Sequence, residues 1–184
     1  MALTNDDFSD RGDNADPRAI PRQTRVGEDA AAMAAVLRRE WETVREIGLG
    51  ACVGIAGPDG LGEAASSRVL DGLGKRLLSL LRPYDGIHRY GADRFLIILP
   101  RLAETHAPSV LDRLRQAVAA KPVPSTGGVL RPVTVSIGGA MMLGEVSAHE
   151  VVQRADRALE SMIRRGDSGI RLWVPEIDVN WPGL

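Results

Sequence analysis

The sequence predicts an α+β domain of ferredoxin-like order, a central mainly antiparallel sheet flanked by helices. Three observations carry that expectation. Short apolar runs of strand length alternate with longer stretches whose apolar residues recur at three-or-four spacing. Two runs, "IHRY" (87–90) and "RFLIILP" (94–100), are separated only by Gly-Ala-Asp, which reads as a hairpin. The resulting order is strand, helix, two hairpin strands, helix, strand, helix, strand. A chain of 184 residues that is 44% hydrophobic can bury one core of ordinary size.

Each element has its own signal. Residues 1–27 hold Asp6, Asp7, Asp10, Asp13 and Asp16, then Pro17 and Pro21, with few large apolar side chains, and read as a disordered acidic leader. Over 28–47, Met33, Val36, Leu37, Trp41 and Val44 form one stripe of an N-terminal amphipathic helix. That stripe can dock on its own domain or on a second copy, which leaves a homodimer open. The body spans 48–174. "ACVGIAG" (51–57) is a buried strand closed by Gly57, Pro58 and Gly60. Residues 63–81 carry Val69, Leu70, Leu73 and Leu77 at helical spacing, and 104–120 carry Val110, Leu111, Leu114 and Val118. "PVTVSIGGAMM" (132–142) is a strand, Ser147 caps a helix over 148–165, "GIRLWV" (169–174) is the last strand, and 175–184 form a tail.

Composition excludes several functions. A net charge of −1 gives no basic surface for nucleic acid. No apolar stretch reaches the roughly 20 residues a bilayer requires, and no signal peptide is visible, so a cytoplasmic protein without a membrane partner is expected. The lone Cys52 rules out an internal disulfide and reads as a small buried residue. Lys75 and Lys121 are the only lysines, so 21 of the 23 basic residues are arginines. An arginine fork suits phosphate or guanine in a way lysine does not. His88 alternates into a strand as packing, His106 and His149 lie near helix starts with no ligand spacing, and Trp41, Trp173 and Trp181 read as core and tail anchors.

"RYGADRFLIILP" (89–100) resembles the GGDEF motif of diguanylate cyclases, an Arg-aromatic-Gly-Gly-acid-Glu-Phe turn before an apolar strand ending in Leu-Pro. "VTVSIGGA" (133–140) is similar to the family's following strand, and "ADRAL" (155–159) to its "ADxALY" helix, all in register over roughly 48–174. The resemblance implies a nucleotidyl-cyclase-like form of the fold. It also implies a homodimer that condenses two GTP into cyclic di-GMP, each subunit holding one GTP through two magnesium ions.

Against that pattern the motif is altered. Gly91 keeps the first glycine, Ala92 replaces the second, Asp93 stays acidic, Arg94 replaces the glutamate, and Phe95 remains. Arg94 cannot coordinate a metal and is positioned to bridge Asp93. Upstream, Asp59 is the one carboxylate near the family's first metal position. No asparagine lies between Asn14 and Asn180 to read guanine, and the later guanine-reading Asp falls on Ser67. Downstream, Ile163 and Asp167 occupy the family's phosphate-contacting Lys and Arg positions, with Arg164 and Arg165 beside them. No catalytic residue, metal or other cofactor is therefore expected. Magnesium on Asp93 and Asp59 enters only if the chain is an active cyclase.

The family's inhibitory site for product cyclic di-GMP is an Arg-x-x-Asp shortly before the turn. Here "RPYD" supplies Arg82 and Asp85, and Arg113 matches a further family arginine on the next helix, with Arg115 its neighbour. Arginine can donate two parallel hydrogen bonds to guanine O6 and N7, and a carboxylate accepts from N1–H and the exocyclic amine. A second such string, Arg68 to Asp71, reads as a surface pair. Three functions follow: an inactive cyclic di-GMP receptor that signals to a protein partner, an active cyclase with an altered site, or a ligand-free interaction scaffold.

Overall fold

The computed structural model describes residues 26–60, 67–125 and 128–174; the leader to residue 25 and the tail from 175, with Trp181, lie outside the described residues. In chain order the elements are α1 (Ala30–Ile47), β1 (Ala51–Pro58), α2 (Ser67–Leu80), β2 (Gly86–Tyr90), β3 (Arg94–Leu99) and α3 (Ala107–Ala119). There follow β4 (Val123–Pro124), β5 (Leu130–Arg131), β6 (Val135–Met142), α4 (Ala148–Ile163) and β7 (Ile170–Leu172). The main sheet runs β2-β3-β1-β6-β7. Its first four strands are antiparallel neighbours in ferredoxin-like order, and β7 adds a parallel edge to β6. The β4–β5 pair was not foreseen, because two residues per strand carry no alternation to read.

Alternation along the strands sorts the core into two layers. Phe95, Ile97 and Leu99 of β3 face Leu73 and Leu77 of α2 and Leu111 and Leu114 of α3. Leu96 and Ile98 face the other way, toward Leu37 and Val44 of α1 and Val151, Ala155 and Leu159 of α4. Helix α1 thus packs its stripe on its own sheet, and Trp41 Nε1 donates to the Val146 carbonyl at 2.6 Å. Asp29 caps it by accepting from Ala31 N, and Gly48 ends it at φ 71°, a left-handed turn that glycine enters without steric cost. No helix among the described residues is long and apolar enough to cross a membrane.

The end of the expected leader behaves differently from its composition. Gly27 N donates to Ile87 O at 3.0 Å, and Arg89 N donates to Gly27 O at 2.7 Å, so this residue pairs with the edge strand β2. A Cβ on Gly27 would lie 2.2 Å from His88 Nδ1, so the strap closes tightly over that ring. His88 is buried and its Nδ1 has no partner among the described residues, so burial lowers its pKa below the ordinary 6.5. The folded chain then binds this proton less readily than the unfolded one. The stabilisation is complete above the unfolded value of 6.5 and is lost as pH falls through it toward the lower folded value. We expect the wild-type melting temperature to drop more between about pH 7 and pH 5 than that of a His88→Gln variant. Parallel pH profiles of the two proteins would dismiss this account.

Candidate nucleotide site

The ends of β1, β3 and β6 meet at one rim of the sheet, where Ala56 pairs with Phe95 and Pro58 with Val135. The hairpin turn 91–93 sits on that rim. Gly91 takes φ 64°, a left-handed conformation that explains a glycine there. Asp59, just past β1, is fixed by β6: its N–H donates to Thr134 O at 2.9 Å, and its Oδ1 accepts from Ser136 Oγ at 2.7 Å. Ser136 Oγ in turn accepts from Gly169 N at 3.2 Å, tying β1 to the start of β7. Asp59 Oδ2 is buried with no partner among the described residues.

Arg94 does not pair chiefly with Asp93 as the sequence suggested; that contact is 4.0 Å. Its guanidinium crosses to α4, where Nη1 donates to Asp156 Oδ1 at 2.7 Å and Nη2 to Glu160 Oε1. Asp156 and Glu160 stand four residues apart, and two like charges at that spacing destabilise a helix unless a cation lies between them. Burial works against the Arg94 charge, but the hydrogen bonds and charges of Glu160 and Asp156 outweigh it and hold its pKa above the usual value.

Between α2 and β2, the Arg-x-x-Asp string forms a closed turn. Asp85 N donates to Arg82 O at 3.0 Å, and Asp85 Oδ2 accepts from Arg82 N at 2.7 Å. Arg82 Nη1 reaches the Tyr84 hydroxyl at 3.2 Å. Arg82, Asp85 and Arg113 line one shallow depression, floored by Leu99, Leu102 and Leu114. Asp85 is buried while both arginines are exposed. Burial raises the Asp85 pKa, opposed by the Arg82 N–H and by the charges of Arg82 and Arg113. Arg115 is taken by Asp112 at 2.7 Å. The second string separates: Asp71 pairs with Arg89 of β2 at 2.6 Å rather than with Arg68.

A family model described as diguanylate cyclase, GGDEF domain, matches residues 58–168 of this chain. The chain belongs to the GGDEF family. Diguanylate cyclase DosC of Escherichia coli is 29% identical over 115 residues, which covers 62% of this chain and 25% of that protein. Diguanylate cyclase A of Treponema denticola is 32% identical, over 62% of this chain and 31% of its own length. The chain thus spans about a quarter to a third of these curated relatives. Among solved structures, the GGDEF domain of YfiN (TpbB) from Pseudomonas aeruginosa superposes with a TM-score of 0.71 at 23% identity, over 79% of this chain and 95% of that one. The coiled coil and GGDEF domain of DgcB from Caulobacter crescentus, solved with c-di-GMP, gives 0.68 at 24%, covering 77% and 79%. Diguanylate cyclase SiaD of Pseudomonas aeruginosa, solved with its activator SiaC, gives 0.70 at 26%, covering 79% and 61%.

In this GGDEF domain the rim brings Asp59 and Asp93 together with the Arg94 guanidinium. Asp59 spends one oxygen on Ser136, and a guanidinium occupies the fourth motif position. Among the described residues no three His, Cys, Asp or Glu side chains gather to hold a cation. Sequence reasoning missed Asp156 and Glu160 as partners of Arg94. The signal was present as an acidic pair at helical spacing, one of them inside the "ADRAL" string itself.

Proposed function

We propose that this GGDEF domain makes no cyclic di-GMP but binds it through Arg82, Asp85 and Arg113, and passes the bound state to a protein partner. The observation that carries this reading is the convergence of those three side chains on one depression, with a preformed turn holding the carboxylate between two arginines. Two guanidiniums and one carboxylate suit a ligand with two guanines and two phosphates. The ion pairs on Arg94 support inactivity, since a cation now stands where the family places a carboxylate. No cofactor is needed in this reading, and its location is the cytoplasm. Solved relatives named for a c-di-GMP complex and for an activator complex make a ligand and a protein partner reasonable for the family.

Calorimetric titration of the full chain with cyclic di-GMP tests it. We expect micromolar or tighter binding, about −8 kcal/mol, weakened at least roughly tenfold in Arg82→Ala, since a hydrogen bond to a charged group contributes about 1.5–3 kcal/mol. Equal affinity in the variant removes the site, and no binding in wild type leaves an interaction scaffold. The altered cyclase draws support from Asp59 and Asp93 at one rim and from relatives named as diguanylate cyclases. Product from GTP with magnesium or manganese would establish it instead.

A further inference from the structure

The sheet's other edge carries a second charged surface. Between α4 and β7 a groove of about 550 Å3 opens, lined by nine residues. Four of them are Arg157, Arg164, Arg165 and Arg171, and none is a carboxylate. At the chain's average of 21 arginines in 184 residues, nine positions would hold about one. The enrichment comes from separate elements: Arg157 and Ser161 lie on α4, Arg164 caps its C-terminus with Arg165 in the turn that follows, and β7 presents Arg171 to the same space.

Several of these charges are uncommitted. Arg157 is tethered to Glu150 at 2.8 Å, and Arg171 Nη1 donates to the neutral Ser161 Oγ at 2.9 Å. Arg164 and Arg165 have no carboxylate partner among the described residues, although Asp167 follows closely. The negative end of the α4 dipole favours a cation here. It does not account for Arg171, which lies on a strand. Trp173 forms part of the wall, its backbone N–H donating to Gly139 O at 2.7 Å, with the Arg154 guanidinium 4.0 Å from its ring centroid.

We propose that this groove binds a phosphorylated ligand of nucleotide size through its oligophosphate group. Guanidinium forks match phosphate oxygens bidentately, and a multivalent anion relieves the repulsion among four neighbouring cations. The volume is that of a small-ligand pocket. A net charge of −1 over the whole chain disfavours a long polyanion, which would meet repulsion outside the groove. Ile163 and Asp167, which stand at the family's phosphate-contacting positions, do not line it. The inference is independent of the Arg82 site, which lies toward the opposite, β2 edge of the sheet.

The test is titration of the full chain with inorganic tripolyphosphate and, separately, with adenosine triphosphate, followed by calorimetry. Micromolar binding is expected. It should weaken at least about tenfold both in Arg164→Gln/Arg165→Gln, whose side chains are exposed and leave the fold intact, and in Arg171→Gln. Arg82→Ala should bind both probes as wild type does. Equal affinity for the two probes assigns recognition to the phosphates alone, and tighter binding of the nucleotide adds a base contact at Trp173. Absence of binding by either probe at about 1 mM, or binding that the arginine variants leave unchanged, overturns the proposal.

Discussion

Replacing Gly138 with alanine will destabilise this domain by about 3 kcal/mol or more, near the top of the range for overpacked cores. A Cβ at this position would stand 2.3 Å from both Ala155 O and Leu159 N, and 2.8 Å from Leu159 Cβ. The first two are helix backbone, so no rotamer change relieves the clash. Helix α4 itself must lift by about 1 Å to restore van der Waals separation, loosening Val151, Ala155 and Leu159 from the sheet. Gly54, on the adjacent strand β1, is the control. Its added Cβ would meet Leu111 Cδ2 at 3.4 Å, Ile137 Cγ2 at 3.5 Å and Gly138 O at 3.9 Å, all ordinary contacts. Both substitutions replace glycine by alanine inside a strand, so their difference isolates the helix contact. For a chain of this size each kcal/mol moves the melting temperature by about 2–4 °C, so Gly138→Ala should melt roughly 6–12 °C lower. Gly54→Ala should stay within about 3 °C of wild type. Similar melting curves for the two variants would show that α4 does not rest on Gly138.

That prediction supplies a physical reason for a motif visible in the sequence only as letters. "VTVSIGGA" could be matched to a family strand, and in the fold Val135 and Ile137 both join the core on one face of the sheet. Why glycine follows could not be read there, because the reason is a helix seventeen or more positions along the chain. The element order and the hairpin were legible, since each depends on local periodicity that tertiary packing reinforces. Strand β7 was legible as a strand, while its parallel pairing with β6 is a property of the topology.

The polar contacts were less legible for a related reason. Arg94 pairs with residues 62 and 66 positions away, a choice set by the rotation of α4 on the sheet. Its immediate neighbour Asp93 was the natural partner from sequence, yet Asp93 stays in the hairpin turn, 4.0 Å away, while Arg94 opens the strand and reaches α4. Asp71 leaves Arg68 for Arg89 because β2 brings a cation alongside the helix. Gly27 pairs with β2 although the residues before it are acidic and rich in turn formers, because an edge strand offers unpaired backbone groups to any nearby chain. By contrast, Arg82 and Asp85 belong to one local turn, which short-range sequence can place together, while Arg113 came from the family resemblance and the fold sets it beside them.

Restoring the family's glutamate at position 94 will damage the fold without restoring turnover. Arg94→Glu removes the cation between Asp156 and Glu160 and sets a third carboxylate against them, with Asp93 on the adjoining turn. Removing one partner of a buried ion pair costs about 3–5 kcal/mol. Here the arginine is about a quarter exposed and the acids about a third, so solvent screening reduces this to roughly 2 kcal/mol. The four carboxylates then have the charge to attract a divalent cation, and we expect manganese to recover part of the lost melting temperature in the variant and none in wild type. We expect no cyclic di-GMP from the variant with GTP and metal, even with Ala92→Gly added. Asp59 remains hydrogen-bonded to Ser136, and no asparagine has been supplied to read guanine. Chromatographic detection of product from that double variant, with none from wild type, would show that the hairpin substitutions alone account for the proposed inactivity. Manganese recovery without product would show that a carboxylate at position 94 is not sufficient for turnover, as expected if the replaced positions upstream at Ser67 and downstream at Ile163 and Asp167 also matter.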